Sequence, residues 1–248
     1  YSDSTQTNIP PGYTMMDVPK EIRDNVVSIS PGITYGVGVG EDGKVHMWGY
    51  TKVTGGIDLA DIPEEVLNAH IVDISAGTDH IVAIDDEGQI YVWGNTRLGQ
   101  DRFSTDMMMA MQTGMSWDIM QIEASNQFSA ALSADGTLYL WGNSNMADIK
   151  VRKSFQGQIQ KVALTSFEYL VLLEDGTVAY VGYNDASSVL ANIPASLEGK
   201  KVVDITATNS TVAAVTEDGD IVVWGNASNG EKVVPEMSAA PVEIYGGR

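Results

Sequence analysis

No cysteine occurs anywhere in the chain, which excludes disulfide staples, thiol nucleophiles, thiolate zinc sites and iron–sulfur ligation, and leaves the redox compartment open. Histidine is nearly absent: His46, His70 and His80 are scattered, without the spacing that two ligands of one metal need. Positive charge is scarce too, with 14 Lys and Arg against 33 Asp and Glu for a net charge of −19. Affinity for nucleic acid comes largely from neutralised phosphates, so an acidic chain without a basic run is not expected to bind DNA or RNA. The apolar runs are too short for a bilayer-crossing helix, and no insertion of this segment into a membrane is expected. Neither a Gly-x-x-x-x-Gly-Lys-Ser/Thr phosphate loop, a Gly-x-Ser-x-Gly elbow nor a histidine-rich metal motif occurs. The expectation is a non-enzyme with no catalytic residues, no cofactor and no metal. The chain begins with Tyr1 and a polar stretch from Ser2 to Asn8, without a signal peptide, as a processed form or an excised piece would.

What the chain has is repetition. Across its 248 residues, 44% of them apolar, five segments align without a gap: 26–50, 71–95, 119–143, 159–183 and 202–226. Their anchor glycines Gly43, Gly88, Gly136, Gly176 and Gly219 are 45, 48, 40 and 43 residues apart. Five residues after each anchor stands Trp48, Trp93, Trp141 or Trp224, with Val181 in the fourth unit. Alternation such as Val26, Ser28, Ser30 against Val27, Ile29 marks strands. The Asp-Gly and Glu-Gly pairs at the anchors mark hairpin turns, because glycine tolerates the positive φ that a tight turn requires. Each unit is therefore three short antiparallel strands, A, B and C. A fourth, edge strand is predicted in the linkers around Ile62–Val66, Ile193–Leu197 and Val234–Met237, where a proline would remove one ladder donor. Sheets repeating at this period are the blades of an all-β propeller, read here as one domain over residues 1–248.

The unit, with its Gly77-Thr78-Asp79-His80 turn, apolar strand, acidic-Gly hairpin and Val-Trp-Gly-Asn ending, resembles the regulator of chromosome condensation repeat. The resemblance covers roughly residues 15 to 247. The linker wording, as in Val18-Pro19-Lys20-Glu21-Ile22 and Ile62-Pro63-Glu64-Glu65-Val66, is similar to short bacterial members that include β-lactamase-inhibitory propellers. Ser125, Thr165 and Thr208 depart from it where the family has glycine, and five full units fall short of the usual seven. The termini supply pieces of one more unit. Pro11-Gly12-Tyr13-Thr14 parallels Trp48-Gly49-Tyr50-Thr51, and Ile244 to Gly247 is spaced as Ile29 to Gly32. Residues 1–22 and 242–248 are thus expected to form a composite closing blade, making six blades, with five or seven as alternatives. Stopping where strand B of that blade would begin, the chain also fits a piece of a larger protein.

The resemblance and the lack of a catalytic constellation imply a protein-binding scaffold, monomeric, bacterial and extracellular or at the cell surface, with a cytoplasmic location left open. Inhibition of a secreted enzyme and an adaptor role on a membrane protein or transporter are its alternatives, and an enzyme with a site on the propeller face ranks below them. The A to B loops vary where the strands repeat, and a rigid frame displaying varied loops is how recognition sites are commonly built. The candidate contact residues are Thr34, Tyr35, Asp79, His80, Gln127, Phe128, Phe167, Glu168, Asn209 and Ser210. Tyr35, His80, Phe128 and Phe167 would be its anchors, or else caps on their blades. The tryptophans are expected to pack between blades rather than stack on sugars. Met107, Met108, Met109, Met111 and Met115 follow an N-cap cluster, Ser104-Thr105-Asp106, and predict a short helix on a blade edge.

Overall fold

In the computed structural model the described residues are 18–143, 150–182, 188–226, 234, 237 and 239–246. Five three-stranded antiparallel sheets follow one another along the chain. Blade 1 is β1 (Val26–Pro31), β2 (Tyr35–Gly40) and β3 (Val45–Gly49), followed by a small ribbon of β4 (Lys52–Val53) and β5 (Ile57–Asp58) and by helix α1 (Glu64–Asn68). Blade 2 is β6 (Ile71–Ala76), β7 (His80–Asp85) and β8 (Ile90–Gly94), after which comes helix α2 (Thr105–Thr113). Blade 3 comprises β9 (Ile119–Ala124), β10 (Phe128–Ser133) and β11 (Leu138–Gly142). Blade 4 has β12 (Ile159–Leu164), β13 (Tyr169–Leu173) and β14 (Val178–Val181), and blade 5 has β15 (Val202–Ala207), β16 (Thr211–Thr216) and β17 (Ile221–Gly225). The fold is a β-propeller.

Strand B of each blade is buried on both faces, and its alternation assigns one face to each neighbouring blade. Tyr35, Val37 and Val39 pack with Ile74, Ile81, Ala83 and Trp93 between blades 1 and 2. Val82 and Ile84 face Ile122, Ala131 and Trp141 between blades 2 and 3. Leu132 meets Val162, Tyr169 and Val171 between blades 3 and 4, and Leu170 and Leu172 meet Ile205, Val212 and Trp224 between blades 4 and 5. Trp93, Trp141 and Trp224 are inter-blade residues, as expected, whereas Trp48 lies over Gly36 of its own blade. Each anchors the preceding linker as well: Trp93, Trp141 and Trp224 donate their indole N–H to the carbonyls of Leu59, Gln100 and Leu190 at 3.0, 3.0 and 3.2 Å.

The predicted linker strands are not strands. Ile62–Val66 leads into α1 and residues 195–197 form a 3-10 turn, each starting directly after a proline, Pro63 or Pro194. Proline's missing N–H has no helical partner to lose at that position, and its fixed φ suits helix entry. The third predicted linker strand, Val234–Met237, falls largely outside the described residues. The methionine segment is the predicted helix: Ser104 caps α2 by accepting from the Met107 N–H at 3.3 Å, and Gly114 closes it in the left-handed region. Met107 is buried between blades 2 and 3, whereas Met109 and Met115 are exposed.

The inner strands β1, β6, β9, β12 and β15 line a central cavity of about 620 Å³. Its wall continues through Ile244, Tyr245 and Gly246, which take the inner-strand place of a sixth blade beside β15. Asp204 accepts from the Ile244 N–H and Thr206 from the Gly246 N–H, each at 2.7 Å. Within the segment 242–248 expected to contribute to a composite blade, these contacts set residues 244–246 beside β15. Of the complementary segment predicted in residues 1–22, residues 1–17 lie outside the described residues, and Lys20–Ile22 form a 3-10 turn rather than a strand. No helix of the described residues is long and apolar enough to cross a membrane.

Candidate functional site

An inner strand has one edge paired with strand B and another facing the cavity, so its outward N–H groups need other partners. The preceding blade supplies them from side chains. Ser28 and Ser30 accept from the N–H groups of Ile74 and Ala76, Ser75 from Ala124, and Gln121 and Glu123 from Val162 and Leu164, at 2.9 to 3.3 Å. Asp204 and Thr206 repeat the pattern on the last segment, and Lys161 donates to Asp204. The cavity's polar groups are therefore a belt that ties each blade to the next. Sequence reasoning passed over this belt. Its signal is a polar column at positions 28, 73, 121, 161 and 204 and a second two residues on, at 30, 75, 123 and 206 and broken by Ala163, legible once the five units are aligned. Ser28 donates to Asp73 at 2.6 Å. Burial dominates there and holds the Asp73 carboxyl above its ordinary value, against the opposing hydrogen bonds from Ser28 and the Ile74 N–H.

The candidate anchors of the A to B loops divide sharply. Tyr35, His80 and Phe128 occupy one column, the first residue of strand B, and all are buried rather than displayed. Tyr35 donates its hydroxyl to the Gly77 carbonyl at 2.8 Å, and His80 Nε2 is bonded to Ser129 Oγ at 2.8 Å in the next blade. The column points between blades because strand B must fill both inter-blade cores, so these three are packing and docking residues, a correction to their expected role as anchors. Thr34, Asp79, Gln127 and Ser210 stand one residue earlier, at the loop tips, and are exposed or half-buried. Their carbonyls accept from the N–H groups of Tyr50, Asn95, Asn143 and Asn226, which holds the loops to the ends of the strands C. Asn95 also donates to the Asp79 carboxylate at 2.8 Å, and burial raises the Asp79 pKa against that bond.

Phe167 remains as a displayed aromatic, 54% exposed at the tip of the blade 4 loop. The loop beneath it is stiff: Thr165, standing where the family has glycine, donates its hydroxyl to the Glu168 carboxylate at 2.6 Å, and Ser188 donates to the same group at 3.1 Å. Ser188 brings Val189, 49% exposed, to the same blade end. Asn209 joins this loop through its carbonyl, which accepts from the Ser166 N–H at 3.0 Å. Ile33, in blade 1, is the other exposed apolar residue of these loops. Among the described residues, no group of three or more His, Cys, Asp or Glu side chains is placed to hold a metal.

Residues 71–100, which span blade 2, match the family model for the regulator of chromosome condensation (RCC1) repeat. A curated relative, the RCC1 domain-containing protein RUG3, mitochondrial, of Arabidopsis thaliana, is 33% identical over 99 residues, covering 35% of this chain and 22% of that protein. The chain thus spans about a fifth of that relative's length. Among solved structures, human WBSCR16 is similar with a TM-score of 0.67 at 21% identity over 90% of this chain and 70% of that one. Yeast RCC1 (Prp20), crystallised with Kap60, gives 0.55 at 19% identity over 80% and 55%. At these identities the likeness is one of fold.

Proposed function

We propose, this chain being a propeller of the regulator of chromosome condensation repeat family, that it is a non-catalytic scaffold that binds a protein partner through the A to B loop face. The observation that carries this is Phe167 with Val189: two exposed apolar side chains, the first on a loop stiffened by Thr165 and Glu168 and the second on the 3-10 turn whose Ser188 bonds that same Glu168. An exposed aromatic on a preorganised frame is the type of group that dominates protein interfaces. Chemistry at the cavity has little support, because the cavity's polar side chains are engaged with the main chain of the next blade. The test is affinity capture from the source organism with the wild-type chain and with Phe167→Ser/Val189→Ser side by side. Loss of one defined partner from the variant supports the loop face, and equal capture by both overturns it. Sustained turnover in a panel of hydrolase, transferase and lyase assays, abolished by one substitution on either face, would overturn the non-catalytic part. Inhibition of a secreted enzyme such as a β-lactamase and attachment to a membrane protein are narrower forms of the same proposal. They agree on an extracellular or cell-surface location, which fractionation of the source cells checks.

A further inference from the structure

The opposite face, where the B to C turns lie, carries a different surface. Every inner strand has a register irregularity against strand B at its start: between Val26 and Ser28, Ile71 and Asp73, Ile119 and Gln121, Ile159 and Lys161, and Val202 and Asp204. The extra residue is Val27, Val72, Met120, Gln160 or Val203. A bulge turns one side chain away from the face that the alternation would give it, and here the four apolar ones are 52%, 40%, 59% and 38% exposed. Val242, just before the segment in the sixth place, is 74% exposed. The turns outside these bulges are acidic and exposed, as at Asp86-Glu87, Glu174-Asp175 and Glu217-Asp218. Between blades 2 and 3 the two surfaces meet in a groove of about 310 Å³ whose wall includes Val72, Met120, Asp86, Glu87 and Asp118. Beside the turns, Lys44 is held by the Leu67 carbonyl, Lys200 by Asp220 and Lys201 by Glu217.

From this we infer that the B to C turn face docks a cationic segment of a partner protein that presents aliphatic side chains to the bulge residues. Water-exposed aliphatic groups repeated at one position of successive blades form a patch of the kind that marks an interaction site. The acidic rim selects the sign of the partner: it repels nucleic acid and anionic lipid and attracts Lys and Arg. This surface is separate from Phe167 and goes beyond the loop-face proposal.

The test uses the purified chain and three fluorescein-labelled peptides followed by anisotropy, of alternating Lys and Leu, Lys and Ser, and Glu and Leu. The Lys-Leu peptide is expected to bind saturably below about 100 μM and at least about tenfold more tightly than the other two. Val72→Ser/Met120→Ser and Asp86→Asn/Glu87→Gln each weaken it by about tenfold, with unchanged circular dichroism melts, since all four side chains are exposed. Phe167→Ser leaves the affinity unchanged, which separates this face from the loop face. No saturable binding, equal binding of the Glu-Leu peptide, or unchanged affinity in either pair of substitutions would overturn the assignment.

Discussion

Single side chains in this propeller act across blade boundaries more than within blades. Trp93 fills the core between blades 1 and 2 and also bonds the Leu59 carbonyl. Trp93→Ala is therefore expected to cost about 3–5 kcal/mol, and Trp93→Phe, which keeps most of the packing, about 1 kcal/mol more than its lost area implies, for the unpaired carbonyl. Urea unfolding of both variants measures the difference. Asp73 makes a prediction in pH. Burial raises its pKa above 3.8 in the folded chain, so the folded state holds the proton more tightly than the unfolded one. Its contribution to stability is greatest below pH 3.8 and declines as pH rises through the folded-state pKa. Asp73→Asn keeps an acceptor for Ser28 and the Ile74 N–H and cannot ionise. The variant should be more stable than wild type at neutral pH, with the gain shrinking toward acid. Denaturation midpoints over a pH series decide this, and a variant less stable at neutral pH would contradict it.

At the scale of elements, the linkers show how local chemistry is read correctly in one place and wrongly in another. In α2 the N-cap was explicit, with Ser104 before the first turn, and the structure adds Gly114 at φ 72° after the last. Ser104→Ala should destabilise the chain by about 1 kcal/mol, seen as a lower thermal midpoint. The prolines at 63 and 194 were equally visible, yet proline is compatible with both an edge strand and a helix entry, and the acidic Glu64 and Glu65 that follow Pro63 suit a helix start. The alternation of the inner strands also misled. Val27, Val72, Met120 and Val203 look like ordinary strand residues until the register against strand B shows them to be the extra residue of a bulge.

At the scale of the molecule, the question is how the ring meets itself. Ile29 is 54% exposed, whereas its counterparts Ile74, Ile122, Val162 and Ile205 are buried against the preceding blade. On the same side of blade 1, glycines alternate along β2. A Cβ on Gly36 would lie 2.3 Å from the Trp48 indole, and one on Gly38 3.1 Å from Ile22, so blade 1 covers this face with its own Trp48 and Ile22. On the far side, Gly246 passes so near blade 5 that a Cβ would stand 2.5 Å from the Ala207 carbonyl oxygen. Gly246→Val is expected to displace the 244–246 segment and to cost about 1–3 kcal/mol. Faster amide exchange at Ile244 and a lower thermal midpoint would show it. Unchanged exchange would mean that this segment does not depend on the close approach.

The five units, their strands, the hairpin turns and the inter-blade tryptophans were all legible in the sequence, because each rests on a pattern that repeats with the chain's own period. Local stereochemistry and alternation dictate a blade, and a repeated blade dictates a propeller. Direction was not legible. Tyr35, His80 and Phe128 stand beside Thr34, Asp79 and Gln127, and only the packing of one blade on the next decides that the first three turn inward and the others outward. Likewise Ser28, Gln121 and Asp204 are polar on any reading, but their partners lie some 40 residues away on the next inner segment. Sequence determined what repeats. The ring, by setting each blade's edge against its neighbour, decided which side chains it uses for itself and which it leaves to a partner.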